Sequence, residues 1–224
     1  LDKPQVGEAA RELFENGTAL LDEIIEKDLL QLEGRVGFFP AAADGDDVVI
    51  YEGESHEREI ARFSMLRQQA LKNESVASYC LADFVAPVDS DFHDYVGMFA
   101  VTAGVGVDKL VAEYEANNDD YNAILVKALA DRLAEAFAEY CHQQIRIDCG
   151  FPDAEETTNK DLIKERYRGI RPAPGYSACP DHTDKGALFE LLGVGESTSM
   201  RLTESFAVSP AASVSGFYFN HPSA

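Results

Sequence analysis

Between Tyr121 and Ile145 an apolar side chain returns at four-residue steps: Leu125, Leu129, Leu133, Phe137 and Cys141. Ile124, Ala128, Ala136, Tyr140 and Ile145 widen the row by steps of three and four. Together these steps follow the 3.6-residue period of an α-helix and not the period of two of a strand. Asn117-Asn118-Asp119-Asp120 breaks the chain just before and restarts it. The spacing therefore predicts a long helix over about 119–146, ~40 Å from end to end at 1.5 Å per residue. A helix with so wide an apolar face has to be the central buried one, and the rest of the chain has to cover it.

The remaining segments supply strands and shorter helices. Val6 to Leu32 reads as an amphipathic helix, weakened at Gly17. Arg35 to Phe39 and Val48 to Tyr51 read as strands joined through Asp44-Gly45-Asp46, a turn signal. Arg58 to Phe63 reads as a third strand or a helix entry, and Arg67-Gln68-Gln69 leads into a polar stretch ending at Asn73. Ser78 to Val85 and Tyr95 to Val101 are short apolar runs suited to buried strands. Asp83 inside the first is either hydrogen-bonded or exposed at the strand's end. Asp108 is expected to cap a helix through Ala116. Thr158 or Asn159 caps another through Tyr167, ended by Gly169, which puts Glu165 on its last turn. Thr183 starts a helix through Leu192. Met200 to Leu202 and Ser213 to Phe219 alternate as strands. The fold class is α+β.

With 224 residues, 46% of them hydrophobic, the chain can bury a sizeable core. Its net charge of −21 argues against nucleic acid or an anionic membrane surface as partner. No apolar run approaches the roughly 20 residues needed to span a bilayer. Cys80, Cys141, Cys149 and Cys179 form no C-x-x-C pair, which suits a reducing, cytoplasmic setting better than a disulfide or zinc framework. G-x-G-x-x-G, P-loop and G-x-S-x-G motifs are absent.

Candidate chemistry gathers after the long helix. Arg171-Pro172-Ala173-Pro174-Gly175-Tyr176 leads into Cys179-Pro180-Asp181-His182. Its prolines fix φ and lack an N–H, so neither helix nor central strand passes through. An arginine on a stiff backbone with a nearby aromatic ring can hold a small carboxylate-bearing ligand with little ordering cost. The plainer alternative is a rigid connection with Arg171 solvated and Tyr176 packed. On the long helix, Asp131, Glu135 and Glu139 form an i, i+4, i+8 row of carboxylates. Such a row is either a solvated acidic face or a receiver for a cation or a partner's histidine. Cys179 and His182 with Asp181 and Asp184 could ligate a metal, as a hydrolase would need, but their spacing fits no zinc pattern; no metal is expected.

The stretch Gly169 to Tyr176, continued by Ala178-Cys179-Pro180, His182-Thr183 and Lys185, resembles the C-terminal activation domain of cobalamin-dependent methionine synthase, with its R-x-x-x-G-Y signature. Tyr79 to Pro87, Val126 to Ala136, Leu202 to Ser205 and Ser213 to Gly216 are similar to the same family, so the likeness runs from Val6 to Pro222. It implies one α+β domain over 1–224, trimmed at both ends, with a twisted antiparallel sheet flanked by helices in a C-shaped arrangement. It implies an S-adenosylmethionine-binding module, part of a methyltransferase and not active alone, that restores oxidised cobalamin carried by a neighbouring cobalamin-binding domain. Flavodoxin or another reductase would supply the electron. By the same resemblance Arg171, Ala173, Gly175, Tyr176 and Glu165 contact S-adenosylmethionine, while Asp131 and Glu135 receive the histidine displaced from cobalt. The family also has a ligand-binding Asp upstream of Leu1 and a Tyr beyond Ala224, and often Trp where this chain has Phe189 and Phe217. Loss of those terminal groups would favour the alternative, a stand-alone docking module for a corrinoid protein without S-adenosylmethionine binding.

Overall fold

The computed structural model describes residues 4–69 and 77–222. Its elements in chain order are α1 (Pro4–Glu26), β1 (Gln31–Asp44), β2 (Asp47–Tyr51), β3 (Glu59–Ser64), a 3₁₀ turn (Leu81–Phe84), β4 (Asp94–Val105), α2 (Val107–Ala116) and α3 (Asp120–Asp148). There follow α4 (Asn159–Ile163), α5 (Asp184–Leu191), α6 (Val194–Ser197), β5 (Arg201–Leu202), β6 (Val208–Ser209) and β7 (Ser213–Tyr218). Five strands form an antiparallel sheet in the order β3-β2-β1-β4-β7, and β5 pairs with β6 in a separate ribbon.

β4 lies second from one edge and is buried from Val96 to Gly104. That is why its sequence is a continuous apolar run: both faces of the sheet are covered. Val96, Met98 and Ala100 face a cluster with Phe63, Phe217, Phe219, Leu188, Phe189 and Met200. Phe99 and Val101 face Ala138, Ile145 and Tyr218 under α3. Phe189 and Phe217 are both buried in this core. A third cluster joins α1, α2 and the first half of α3 through Leu20, Ile24, Leu110, Val111, Val126 and Ala130.

The long helix stands where its periodicity places it, but its buried face is rotated. Ile124 is 68% exposed and Tyr140 61%, so neither widens the core stripe. The fully buried row is Val126, Ala130, Ala134, Ala138 and His142, one residue round from the expected leucines. Small side chains there let the helix axis approach the sheet, and the leucines fill the flanks. Gly34 on β1 helps: a Cβ there would come within 3.2 Å of the Phe137 ring.

Several boundaries differ for physical reasons. α1 stops at Glu26, because Asp28 adopts φ 53°, a left-handed turn, and the chain enters β1 at Gln31. β1 runs through Pro40; only beyond it, from Ala41, does β2 pair on the second side, so the missing N–H costs no ladder bond on that side. Residues 59–64 are a strand, which settles the open choice there. Ser78 to Val85 is not a strand: the Asp83 carboxylate accepts the Cys80 N–H at 2.8 Å and folds the run into a 3₁₀ turn. Arg67 then grips both Asp83 oxygens at 2.7 and 2.8 Å, so this aspartate is hydrogen-bonded, as an acid within an apolar run requires. Gly106, at φ 97°, precedes α2 where Asp108 was expected to cap it. α4 ends at Ile163, short of Tyr167, and Glu165 stands in a turn at φ 51° rather than on a helix end. The polar stretch ending at Asn73 lies outside the described residues.

Candidate functional site

The segment after α4 is fastened to the edge of the sheet. Ile170 and Phe219 exchange two backbone hydrogen bonds at 2.9 and 3.0 Å, and the Phe217 N–H donates to the Pro172 carbonyl at 2.9 Å. Gly216 makes this approach possible: a Cβ there would lie 2.4 Å from the Pro172 oxygen. Further on, the Cys179 thiol donates to the Ala173 carbonyl at 3.0 Å, and the Gly175 N–H donates to the Cys179 carbonyl at 2.8 Å. Gly175 has φ 102°, and the His182 ring occupies the space a Cβ would need, 2.2 Å from its position. Proline stiffness, two glycines and a thiol thus hold the backbone from Arg171 to Cys179 in one conformation.

Arg171 and Tyr176 exchange the roles a plain connection would give them. The Arg171 side chain is only 21% exposed, with Nη1 2.6 Å from Glu139 Oε2 and hydrogen-bonded to the Tyr167 hydroxyl. The Tyr167 hydroxyl also donates to Glu139 Oε2, at 2.9 Å. The other amino group, Nη2, has a looser ion pair at 3.5 Å to Glu165, a largely exposed carboxylate. Tyr176 is 73% exposed. One edge of the guanidinium is fixed inward and the other turns outward.

Two hollows meet at Arg171. One of about 300 Å³ is lined by Glu165, Tyr167, Gly169, Ile170, Arg171 and Pro172. The other, about 590 Å³, is lined by Arg132, Glu135, Glu139, Leu162, Ile163 and Arg171, among others. Of the expected site residues, Arg171 and Glu165 meet directly, and Glu135 shares the larger hollow with Arg171. Glu135 already holds a cation, Arg132, at 2.8 Å. Asp131 is exposed one turn earlier on α3 and lines neither hollow. Ala173, Gly175 and Tyr176 follow on the fastened loop, outside both linings.

Electrostatics keep the buried groups in definite states. Burial, outweighing the nearby Arg171 charge, pushes the Tyr167 hydroxyl up to about 12, so it is a donor at neutral pH. His142, beneath this group, is pushed down to about 3 by burial and by Arg146 and Arg171, and is neutral. Cys179, considered from sequence as a metal ligand, is buried; burial pushes its thiol up to about 11, and it donates to the Ala173 carbonyl. Among the described residues no cluster of three or more His, Cys, Asp or Glu could hold a metal ion.

The reading from sequence named Glu139 within the acidic row but not as the partner of Arg171, and it missed Tyr167, Arg146 and Asp153. The one signal for Glu139 was the row itself. Its three members grade from exposed to 18% exposed along α3, because the helix face turns from solvent toward the sheet edge.

The molecule is thus an α+β protein whose antiparallel sheet carries a proline-stiffened, arginine-bearing loop on its edge strand. Residues 1–224 match the family model for the activation domain of vitamin B12-dependent methionine synthase. A crystal structure of the MetH reactivation domain bound to AdoHcy is 52% identical, with a TM-score of 0.92 over 98% of this chain and 67% of its own. The chain belongs to the family of vitamin B12-dependent methionine synthase activation domains.

Proposed function

We propose that this chain binds S-adenosylmethionine at Arg171 and serves to reactivate cobalamin in a methionine synthase. The observation that carries this reading is the half-anchored guanidinium, held short by Glu139 on one edge and only loosely by the exposed Glu165 on the other, beside a hollow of about 300 Å³. A planar cation so held suits the carboxylate of an amino-acid ligand, which it can take with two parallel hydrogen bonds. The solved relative holds AdoHcy, the product S-adenosylmethionine leaves after methyl transfer.

Each residue has a defined task in this reading. Arg171 takes the ligand carboxylate. Glu165, exposed and 3.5 Å from Nη2, can swing aside and accept the ligand's ammonium. The backbone at Ala173 and Gly175 sets the floor, and Tyr176 brings an aromatic face to the sulfonium, which a cation favours. Glu135 and Asp131 receive a histidine from the neighbouring cobalamin-binding domain. Their charge stabilises the imidazolium, for which Arg132 stands in as a resident cation. The ligand supplies the methyl group and a flavodoxin or other reductase one electron, which together return cob(II)alamin to methylcobalamin within methionine biosynthesis.

The test uses the holoenzyme that carries this domain, with its cobalamin oxidised to cob(II)alamin. Addition of S-adenosylmethionine and a reductant is expected to convert the visible spectrum to that of methylcobalamin, and Arg171→Ala to slow the conversion by at least about tenfold. Conversion at an unchanged rate in Arg171→Ala would overturn the assignment.

A further inference from the structure

Beneath Arg171 lies a set of charges that ligand binding as described does not use. Arg146 on α3 is wholly buried. Its Nε and Nη2 both donate to Asp153, each at 2.7 Å, and its guanidinium carbon stands 3.8 Å from the centre of the Tyr167 ring. Nη2 is also 3.6 Å from Glu139 Oε1. Two arginines and two carboxylates thus alternate inward from the loop: Arg171, Glu139, Arg146, Asp153. Because Asp153 holds Arg146 with both oxygens at short range, Glu139 is left with its shortest contacts to Arg171 and Tyr167. Such a bidentate pair has a rigid geometry, and a buried charge without its partner is costly.

We infer that Glu139 is a positioning residue for Arg171. It clamps the Nη1 edge so that the other edge is presented to the ligand carboxylate, and Tyr167 with the Arg146–Asp153 pair holds Glu139 in turn. An unclamped arginine has many rotamers and loses them on binding; one already ordered binds without that cost. The clamp also fixes orientation, since Glu139 and a ligand carboxylate occupy opposite edges of one plane. This inference rests on Arg171 binding S-adenosylmethionine.

The experiment compares two ligands that differ only at the group Arg171 would hold: S-adenosylmethionine and its decarboxylated analogue. Both are titrated calorimetrically into the wild-type chain and Glu139→Gln, which keeps the shape and removes the charge. Glu139→Gln is expected to weaken S-adenosylmethionine about tenfold and the analogue less than about twofold. Equal weakening of both ligands would mark a structural role and overturn the inference, as would unchanged or tighter binding of S-adenosylmethionine. If Glu139→Gln does not fold, Tyr167→Phe, which removes the bridging hydroxyl and keeps the ring beside Arg146, is expected to show the same selective loss; binding of both ligands as in wild type would overturn it. Absence of S-adenosylmethionine binding in the wild-type chain would instead defeat the underlying reading, and this one with it.

Discussion

Gly175 has two reasons to be glycine. Its φ of 102° is one that residues with a Cβ rarely adopt, and the His182 ring fills the space above its Cα. Gly175→Ala should therefore destabilise the protein by about 1–3 kcal/mol, measured by urea denaturation. Adding His182→Ala should recover only the steric part. A second single-residue effect concerns pH. His142 is neutral in the fold, pushed down to about 3 by burial, Arg146 and Arg171, whereas an unfolded histidine titrates near its ordinary 6.5. Between those values the unfolded chain binds the extra proton, so stability is complete above about pH 6.5 and falls as pH drops. His142→Phe, which keeps a ring between Tyr167 and Tyr218, should flatten the acid side of a melting-temperature profile. Asp184 acts with the opposite sign. Burial, with Asp181 nearby, pushes its carboxyl up to about 6 from 3.8, so its contribution is present at low pH and lost as pH rises toward 6. Asp184→Asn should raise stability at pH 7, by about 1 kcal/mol once solvent screening of this part-exposed group is allowed for.

Among the elements, α3 decides how closely the sheet and its helical layer approach. Its buried row is alanine at three successive turns, so a larger side chain there has nowhere to go. Ala134→Leu, at a position 1% exposed, should cost about 1–3 kcal/mol. The same change at Ala128, on the exposed side, should leave the melting temperature nearly unchanged; equal losses at the two sites would contradict the packing described. This helix also shows what a sequence can and cannot say. Its existence and length were legible, since a 3.6-residue period sustained over so many turns has no other reading. The face it buries was not, because alanine carries little hydrophobic signal and leucine carries much. Packing rewarded close approach and put the leucines at the flanks. Ser78 to Val85 failed for a related reason: its composition is that of a strand, yet one carboxylate reaching back to the Cys80 N–H closes a turn instead.

At the scale of the whole molecule, a net charge of −21 repels itself when the chain compacts. Among the described residues, ion pairs such as Lys27–Glu23, Arg58–Glu52 and Arg132–Glu135 join exposed side chains and contribute little. Added salt should therefore stabilise: the melting temperature should rise by about 2–4 °C between 0.05 and roughly 1 M NaCl, and a fall would mean that screened ion pairs outweigh self-repulsion. Much of the family and its loop was legible from the R-x-x-x-G-Y stretch and its companion motifs. The partner of Arg171 was not. With 40 acidic residues in the chain, only the tertiary fold selects Glu139, by laying the loop along β7 beside the last turns of α3. β7 itself pairs with a strand more than 100 residues earlier, a register no local pattern encodes.

The central claim, that Arg171 is the anchor of an S-adenosylmethionine site, is tested most directly by calorimetric titration of that ligand into the wild-type chain and Arg171→Ala. The wild type should give a saturable one-site heat and Arg171→Ala none in the same concentration range. No heat from the wild type at millimolar ligand, or equal affinity in the two proteins, would contradict it.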